Sequence, residues 1–146
     1  MPATAWLQSA QSAQSANRPH AFRRELRVLL VDDNLVNQVY GEAMLEELGL
    51  GVVLASDGAE ALQRWKTESF DLILMDCHMP VMDGLAAARR IREAELVRGT
   101  RTPIVALTGC TDDDEQADCI SAGMDAVLHK PFNPDELLAF VTGLLR

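Results

Sequence analysis

Along the chain, short unbroken apolar runs alternate with longer stretches in which apolar residues recur at helical spacing. The runs are Leu26–Val31 (L-R-V-L-L-V), Val52–Ala55, Leu72–Met75 (L-I-L-M), Pro103–Thr108 (P-I-V-A-L-T) and Ala126–Leu128. Apolar runs of this length with no alternation predict strands buried on both faces, as in a parallel sheet. After the first run, Val36, Val39, Tyr40, Ala43, Met44 and Leu48 form the apolar stripe of a helix that Gly49 and Gly51 stop. A second helix spans Ala59 to about Glu68, with Ala61, Leu62 and Trp65 on its packed face. A third runs from about Leu85 to Val97, where Arg89, Arg90 and Arg92 among Glu93 and Glu95 predict a solvated face. The acidic cluster Asp112–Glu115 suits the positive end of a fourth helix reaching Ser121, with Gly123 as its C-cap. The last helix starts at Asn133 as N-cap, with Pro134 in its first turn. Leu137, Leu138, Phe140, Val141, Leu144 and Leu145 give it a broad apolar face. Five strands alternating with five helices predict an α/β fold, a doubly wound parallel sheet with right-handed crossovers.

Residues 1–25 stand outside this pattern. Their centre, Q-S-A-Q-S-A-Q-S-A at Gln8–Ala16, is a low-complexity repeat with nothing large to bury, so the segment is expected to be a flexible tail or linker. The 146 residues suit one domain with a real core, here 26–146. The net charge of −9 is uneven: the tail holds three arginines and one glutamate, a balance of +2, which leaves −11 for the rest. So acidic a surface argues against direct nucleic-acid binding, which needs clustered Lys and Arg. No apolar run approaches a membrane span and no secretory signal is evident. Cys77, Cys110 and Cys119 lack paired metal-ligand spacing and read as free thiols in a reducing cytoplasm. Cys77 and Cys110 are both expected to border the site described next.

The polar residues at the strand ends carry the chemistry. Asp32 and Asp33 follow the first strand, Asp76 ends the third, Thr108 the fourth, and Lys130 lies just past the fifth. In a doubly wound sheet those C-terminal ends converge on one rim, where such folds bind their ligands. Three carboxylates crowded together repel one another unless a divalent cation is shared between them. Oxygen ligands favour a hard ion such as Mg²⁺. Lys130 offers a point charge and Thr108 a hydroxyl donor, the groups that hold phosphoryl oxygens. Together they point to attack by a carboxylate on phosphorus. After Asp76 comes C-H-M-P-V-M-D-G, where Pro80 and the Asp83-Gly84 pair predict a turn; Asp83 reads as a turn and cap residue rather than a ligand.

These stretches, V-L-L-V-D-D-N at Val28–Asn34, M-D-C-H-M-P-V-M-D-G at Met75–Gly84, I-V-A-L-T-G at Ile104–Gly109 and H-K-P-F at His129–Phe132, closely resemble the CheY-like receiver domain of two-component response regulators. The resemblance covers residues 26–146. It implies a flavodoxin-like (βα)₅ fold with strand order 2-1-3-4-5. It implies that Asp76 is the phosphoacceptor, taking a phosphoryl group from phosphohistidine. Mg²⁺ would be bound by Asp33 and Asp76 directly, by Asp32 through water, and by the backbone carbonyl of His78, whose imidazole would lie near the entrance. Thr108 and Lys130 would contact the phosphoryl oxygens, and the Lys130–Pro131 bond would be cis.

Val31–Gln38 (V-D-D-N-L-V-N-Q) and the C-H-M-P-V-M-D-G wording look most like receivers of hybrid sensor histidine kinases. With no kinase core and no output domain after the last helix, the expectation is an excised or free-standing relay receiver. Its partners would be a histidine kinase or a histidine-phosphotransfer protein, and it would catalyse its own phosphorylation and slow dephosphorylation without being a turnover enzyme. One position departs from the family: Val127 stands three residues before Lys130, where an aromatic usually reports phosphorylation. Two other functions compete. A Mg²⁺-dependent aspartyl-phosphate phosphatase or phosphotransferase would place His78 as general acid, but no substrate cap segment exists. A pseudo-receiver binding module would not need the intact set of Asp32, Asp33, Asp76, Thr108 and Lys130.

Overall fold

A computed structural model describes residues 26–79, 81–109, 113–130 and 133–144. The expectations for the tail, Pro80, Cys110, Asp112, the Lys130–Pro131 bond, Phe132 and Leu145 lie outside these, as does the side chain of Leu144.

Among the described residues, five strands and five helices alternate: β1 (Arg27–Val31), α1 (Leu35–Glu47), β2 (Gly51–Ala55), α2 (Gly58–Thr67), β3 (Leu72–Asp76), α3 (Gly84–Arg98), β4 (Ile104–Thr108), α4 (Asp113–Ser121), β5 (Ala126–His129) and α5 (Pro134–Leu144). The sheet is parallel throughout, in the order β2-β1-β3-β4-β5. Every residue of β3 and β4 is buried, as their uninterrupted apolar sequences require.

Strand alternation divides the core in two. Leu29, Val31, Ile73, Met75, Ile104 and Ala106 face one side, where Trp65 of α2, Ile91 of α3 and Cys119 of α4 cover them. Val28, Leu30, Leu72, Leu74, Val105 and Leu107 face the other, beneath Met44 and Leu45 of α1 and Leu137 and Val141 of α5. Trp65 is a packed residue, its indole N–H donating to Thr102 and its ring stacked under Arg98. The N-cap of α5 is a reciprocal capping box: Asn133 Oδ1 accepts from the Glu136 N–H, and Glu136 Oε1 from the Asn133 N–H.

Three expectations change. In α1 the residues turned inward are Gln38, Gly41, Met44 and Leu45. A Cβ on Gly41 would stand 2.8 Å from Leu30 Cδ2, so the helix lies too close to β1 for a larger residue there. Gln38 is buried because its amide donates to the Asp32 carbonyl at 2.6 Å. Val36, Val39 and Tyr40 are consequently exposed, together with Leu35.

In α3 the arginines do not share one solvated face. Arg89 and Arg90 are exposed. Arg92 reaches Glu95, Asp125 and the carbonyls of Thr102 and Gly123 at 2.6–2.9 Å. Glu95 is itself buried and accepts from the Thr102 N–H. This network ties α3 to the N-terminal ends of β4 and β5, the rim opposite the strand C-termini.

The Asp83-Gly84 pair is not a positive-φ turn. Asp83 caps α3, accepting from the Ala86 N–H at 2.9 Å. Gly84 is needed for proximity, since a Cβ there would lie 2.2 Å from the Asp76 carbonyl oxygen. The positive φ in this loop belongs to Val81, at 67°.

Candidate functional site: an acidic cluster with a lysine

β1 ends at Val31, and Asp32 continues its direction through an N–H bond to the Ala55 carbonyl. The Asp32 carboxylate is 2 % exposed, yet its oxygens are well supplied. Oδ1 accepts from the Asn34 N–H at 2.9 Å and Oδ2 from Lys130 Nζ at 2.8 Å. Asp33 is exposed. Asp76, the last residue of β3, accepts from the His78 N–H at 3.2 Å and lies 3.5 Å from Lys130 Nζ. One carboxylate oxygen from each of Asp32, Asp33 and Asp76 lies within 4.8 Å of the others.

The electrostatics follow from this crowding. Burial raises the Asp76 carboxyl above its ordinary range; Lys130 and the His78 N–H pull it down, while Asp32 and Asp33 add to the rise. For Lys130, burial would lower the ammonium, but Asp32 and Asp76 outweigh it and the net shift is upward. The lysine is thus a fixed cation among three carboxylates, and it leaves the cluster short of positive charge. An oxygen-only donor set of this kind fits a hard divalent cation.

Thr108 ends β4, and its carbonyl accepts from the Lys130 N–H at 2.8 Å, which joins the two strand ends. Its buried hydroxyl donates to Glu115 Oε1 at 2.7 Å. Glu115, in the first turn of α4, also holds His78 Nε2 through its other oxygen. The structure therefore brings Asp32, Asp33, Asp76 and Lys130 together directly. Thr108 and His78 border them and are linked to one another through Glu115. Gln38, which fixes the Asp32 backbone, and Glu115 were not anticipated as site residues. In sequence Glu115 reads as helix-terminus charge, and Gln38 sits in a helix whose apolar stripe does not mark its buried side.

Cys77 is a free thiol next to Asp76, as expected. Its thiol lies 3.2 Å from that of Cys119, both fully buried, and burial together with that contact pushes the Cys77 thiol up. A thiol so held is a poor nucleophile. A cavity of about 260 Å³ opens beside the cluster, lined by Tyr40 and Gly41 of α1 and by Leu107 and Lys130.

Five parallel strands in this order, with carboxylates and a lysine at their C-terminal rim, define a CheY-type α/β protein with a cation-seeking acidic site. Residues 28–142 match the model of the response regulator receiver domain, and the chain belongs to that family. Among curated proteins it is similar to Probable histidine kinase 2 of Oryza sativa subsp. indica, 39% identical over 135 residues. That match takes in 83% of this chain but 13% of the rice protein, so the chain spans a small part of such relatives. Among solved structures it resembles the receiver domain of Ssk1 from Saccharomyces cerevisiae, co-crystallised with the histidine phosphotransfer signaling protein Ypd1. The TM-score is 0.79 at 31% identity, covering 83% of this chain and 89% of that one. It also resembles the receiver domain of sensor histidine kinase PA1611 from Pseudomonas aeruginosa, with magnesium ion in the active site cleft. There the TM-score is 0.76 at 42% identity, covering 84% and 98%. No helix among the described residues is long and apolar enough to cross a membrane.

Proposed function

We propose that residues 26–146 are the phosphoacceptor receiver of a cytoplasmic phosphorelay, with 1–25 a tail or linker, and that Asp76 is the residue phosphorylated. The observation that carries this reading is the placing of Asp76 at the end of the central strand, 3.5 Å from Lys130 and clustered with Asp32 and Asp33. A carboxylate oxygen of Asp76 forms a bond to phosphorus as the P–N bond of a phosphohistidine breaks. The imidazole nitrogen keeps that electron pair and takes up a proton. Lys130 neutralises charge on the transferring phosphoryl oxygens, and the Thr108 hydroxyl donates to one of them. Mg²⁺ would be held by Asp33, Asp76 and the His78 carbonyl, with Asp32 assisting. Bound, it supplies charge neutralisation of the phosphoryl oxygens.

The donor is a histidine-phosphotransfer protein or a histidine kinase, as in the hybrid kinases the chain resembles. Leu35, Val36 and Val39 supply a docking strip, since they are large apolar residues exposed together on one helix beside the site. Intact-mass measurement after incubation with acetyl phosphate and Mg²⁺ tests the assignment. The chain should gain one phosphoryl group and Asp76→Asn none. Equal labelling of the asparagine variant would overturn it.

A further inference from the structure

We propose that Glu115 is a positioning residue that withholds the Thr108 hydroxyl from the phosphoryl group in the resting state, with His78 holding Glu115 in place. The inference rests on the reading of Asp76 as phosphoacceptor and deepens it.

A threonine hydroxyl carries one proton to donate. Here that proton goes to Glu115 Oε1 at 2.7 Å. The other carboxylate oxygen meets His78 Nε2, so one side chain of α4 spans from the end of β4 to the loop that follows β3. Those are the two walls beside Asp76. Thr108 is 2 % exposed, so water has little room to stand in for a partner that is lost. A phosphoryl group on Asp76 and the Glu115 carboxylate are both anions seeking the same proton. They cannot share it, and at close range they repel. Phosphorylation must therefore release Glu115 from Thr108.

Two consequences follow. The latch sets a threshold, because part of what Thr108 contributes to the phosphorylated state is offset by the bond it gives up. It also offers a route for the signal in a chain with Val127 at the aromatic position: release of Glu115 frees the first turn of α4.

The test is binding of beryllofluoride, a phosphoryl mimic, in the presence of Mg²⁺ to the full chain and five variants. Glu115→Ala should bind it about tenfold more tightly, the size of one charge-assisted hydrogen bond no longer in competition. Glu115→Gln, which can still accept from Thr108 but carries no charge, should gain less. His78→Ala should gain through the loosened carboxylate. In a Thr108→Ala background, removing Glu115 should lose most of its effect, a coupling that general weakening of α4 would not produce. Equal or weaker binding by Glu115→Ala and Glu115→Gln, or additivity with Thr108→Ala, would overturn the latch while leaving the receiver reading intact. Failure of the unmodified chain to bind beryllofluoride at all would instead count against the receiver reading on which the latch depends. Should Glu115→Ala fail to fold, Glu115→Gln and His78→Ala decide the matter.

Discussion

Asp76 is held against its own charge. Its carboxyl is raised chiefly by burial, so between its ordinary range and the raised value the folded chain binds more protons than the unfolded one. Stability therefore falls as pH rises through that window, and at neutral pH the ionised Asp76 destabilises the fold. Asp76→Asn should melt at a higher temperature than the unmodified chain at pH 7 without metal. The advantage should fade as pH falls to the ordinary carboxylate range, where the unmodified residue is neutral too. An unchanged or lower melting temperature at pH 7 would contradict this. Asp33 is exposed, so its repulsion of the other carboxylates is partly screened. Asp33→Ala should stabilise the metal-free chain by no more than ~1 kcal/mol while weakening Mg²⁺ binding about tenfold or more. Titration calorimetry and a metal-free melt measure the two effects separately. At this scale the sequence is legible wherever function sits at the end of a strand. Asp32, Asp33, Asp76 and Lys130 converge because parallel strands bring their C-termini to one rim. Glu115 is not legible in that way: its place among three acidic neighbours has a sufficient cause in the helix terminus, and only coordinates show its second use.

Among the elements, α3 carries the largest unseen load. Arg92 satisfies buried Glu95 and joins Asp125 and two carbonyls, so its loss leaves a buried carboxylate without its cation. Arg92→Leu should cost about 3 kcal/mol in urea unfolding, whereas Arg89→Leu and Arg90→Leu should stay within about 0.5 kcal/mol. Equal small effects at all three positions would show that the network contributes nothing. At the other end of the same helix, Gly84→Ala forces a methyl to within 2.2 Å of the Asp76 carbonyl. It should destabilise by about 2 kcal/mol and slow phosphorylation by shifting the end of β3. The helices show where pattern reading stops. α5 follows its stripe, with Leu137 and Val141 fully buried. In α1 the close approach at Gly41 and the hydrogen bond made by Gln38 decide which side faces β1, and neither is visible as hydrophobicity. Leu35, Val36 and Val39 are left on the surface as a result. Likewise, Arg92 and Arg89 look alike in sequence, and the distant Asp125 and the Thr102 and Gly123 carbonyls distinguish them.

For the whole molecule, the alternation of five apolar runs with five helices was enough to reach the observed sheet, and the family resemblance supplied its strand order. Val127 packs half-buried against the core on the side of α2, α3 and α4. A valine there has little to change between states, and a ligand shifts an equilibrium only through differential affinity. Backbone NMR with beryllofluoride and Mg²⁺ should therefore show changes in the loops after β1, β3 and β4 and in the first turn of α4, with little change through Ala126, Val127 and α5. Large shifts through α5 would place the output there instead. The claim beneath all of these is that Asp76 takes the phosphoryl group, and site mapping tests it most directly. The chain would be treated with acetyl phosphate and Mg²⁺, and the acyl phosphate reduced with borohydride to an alcohol. Peptide mass analysis should find the reduced residue at position 76 and nowhere else. Reduction at another carboxylate, with Asp76 intact in a phosphorylated chain, would contradict the account.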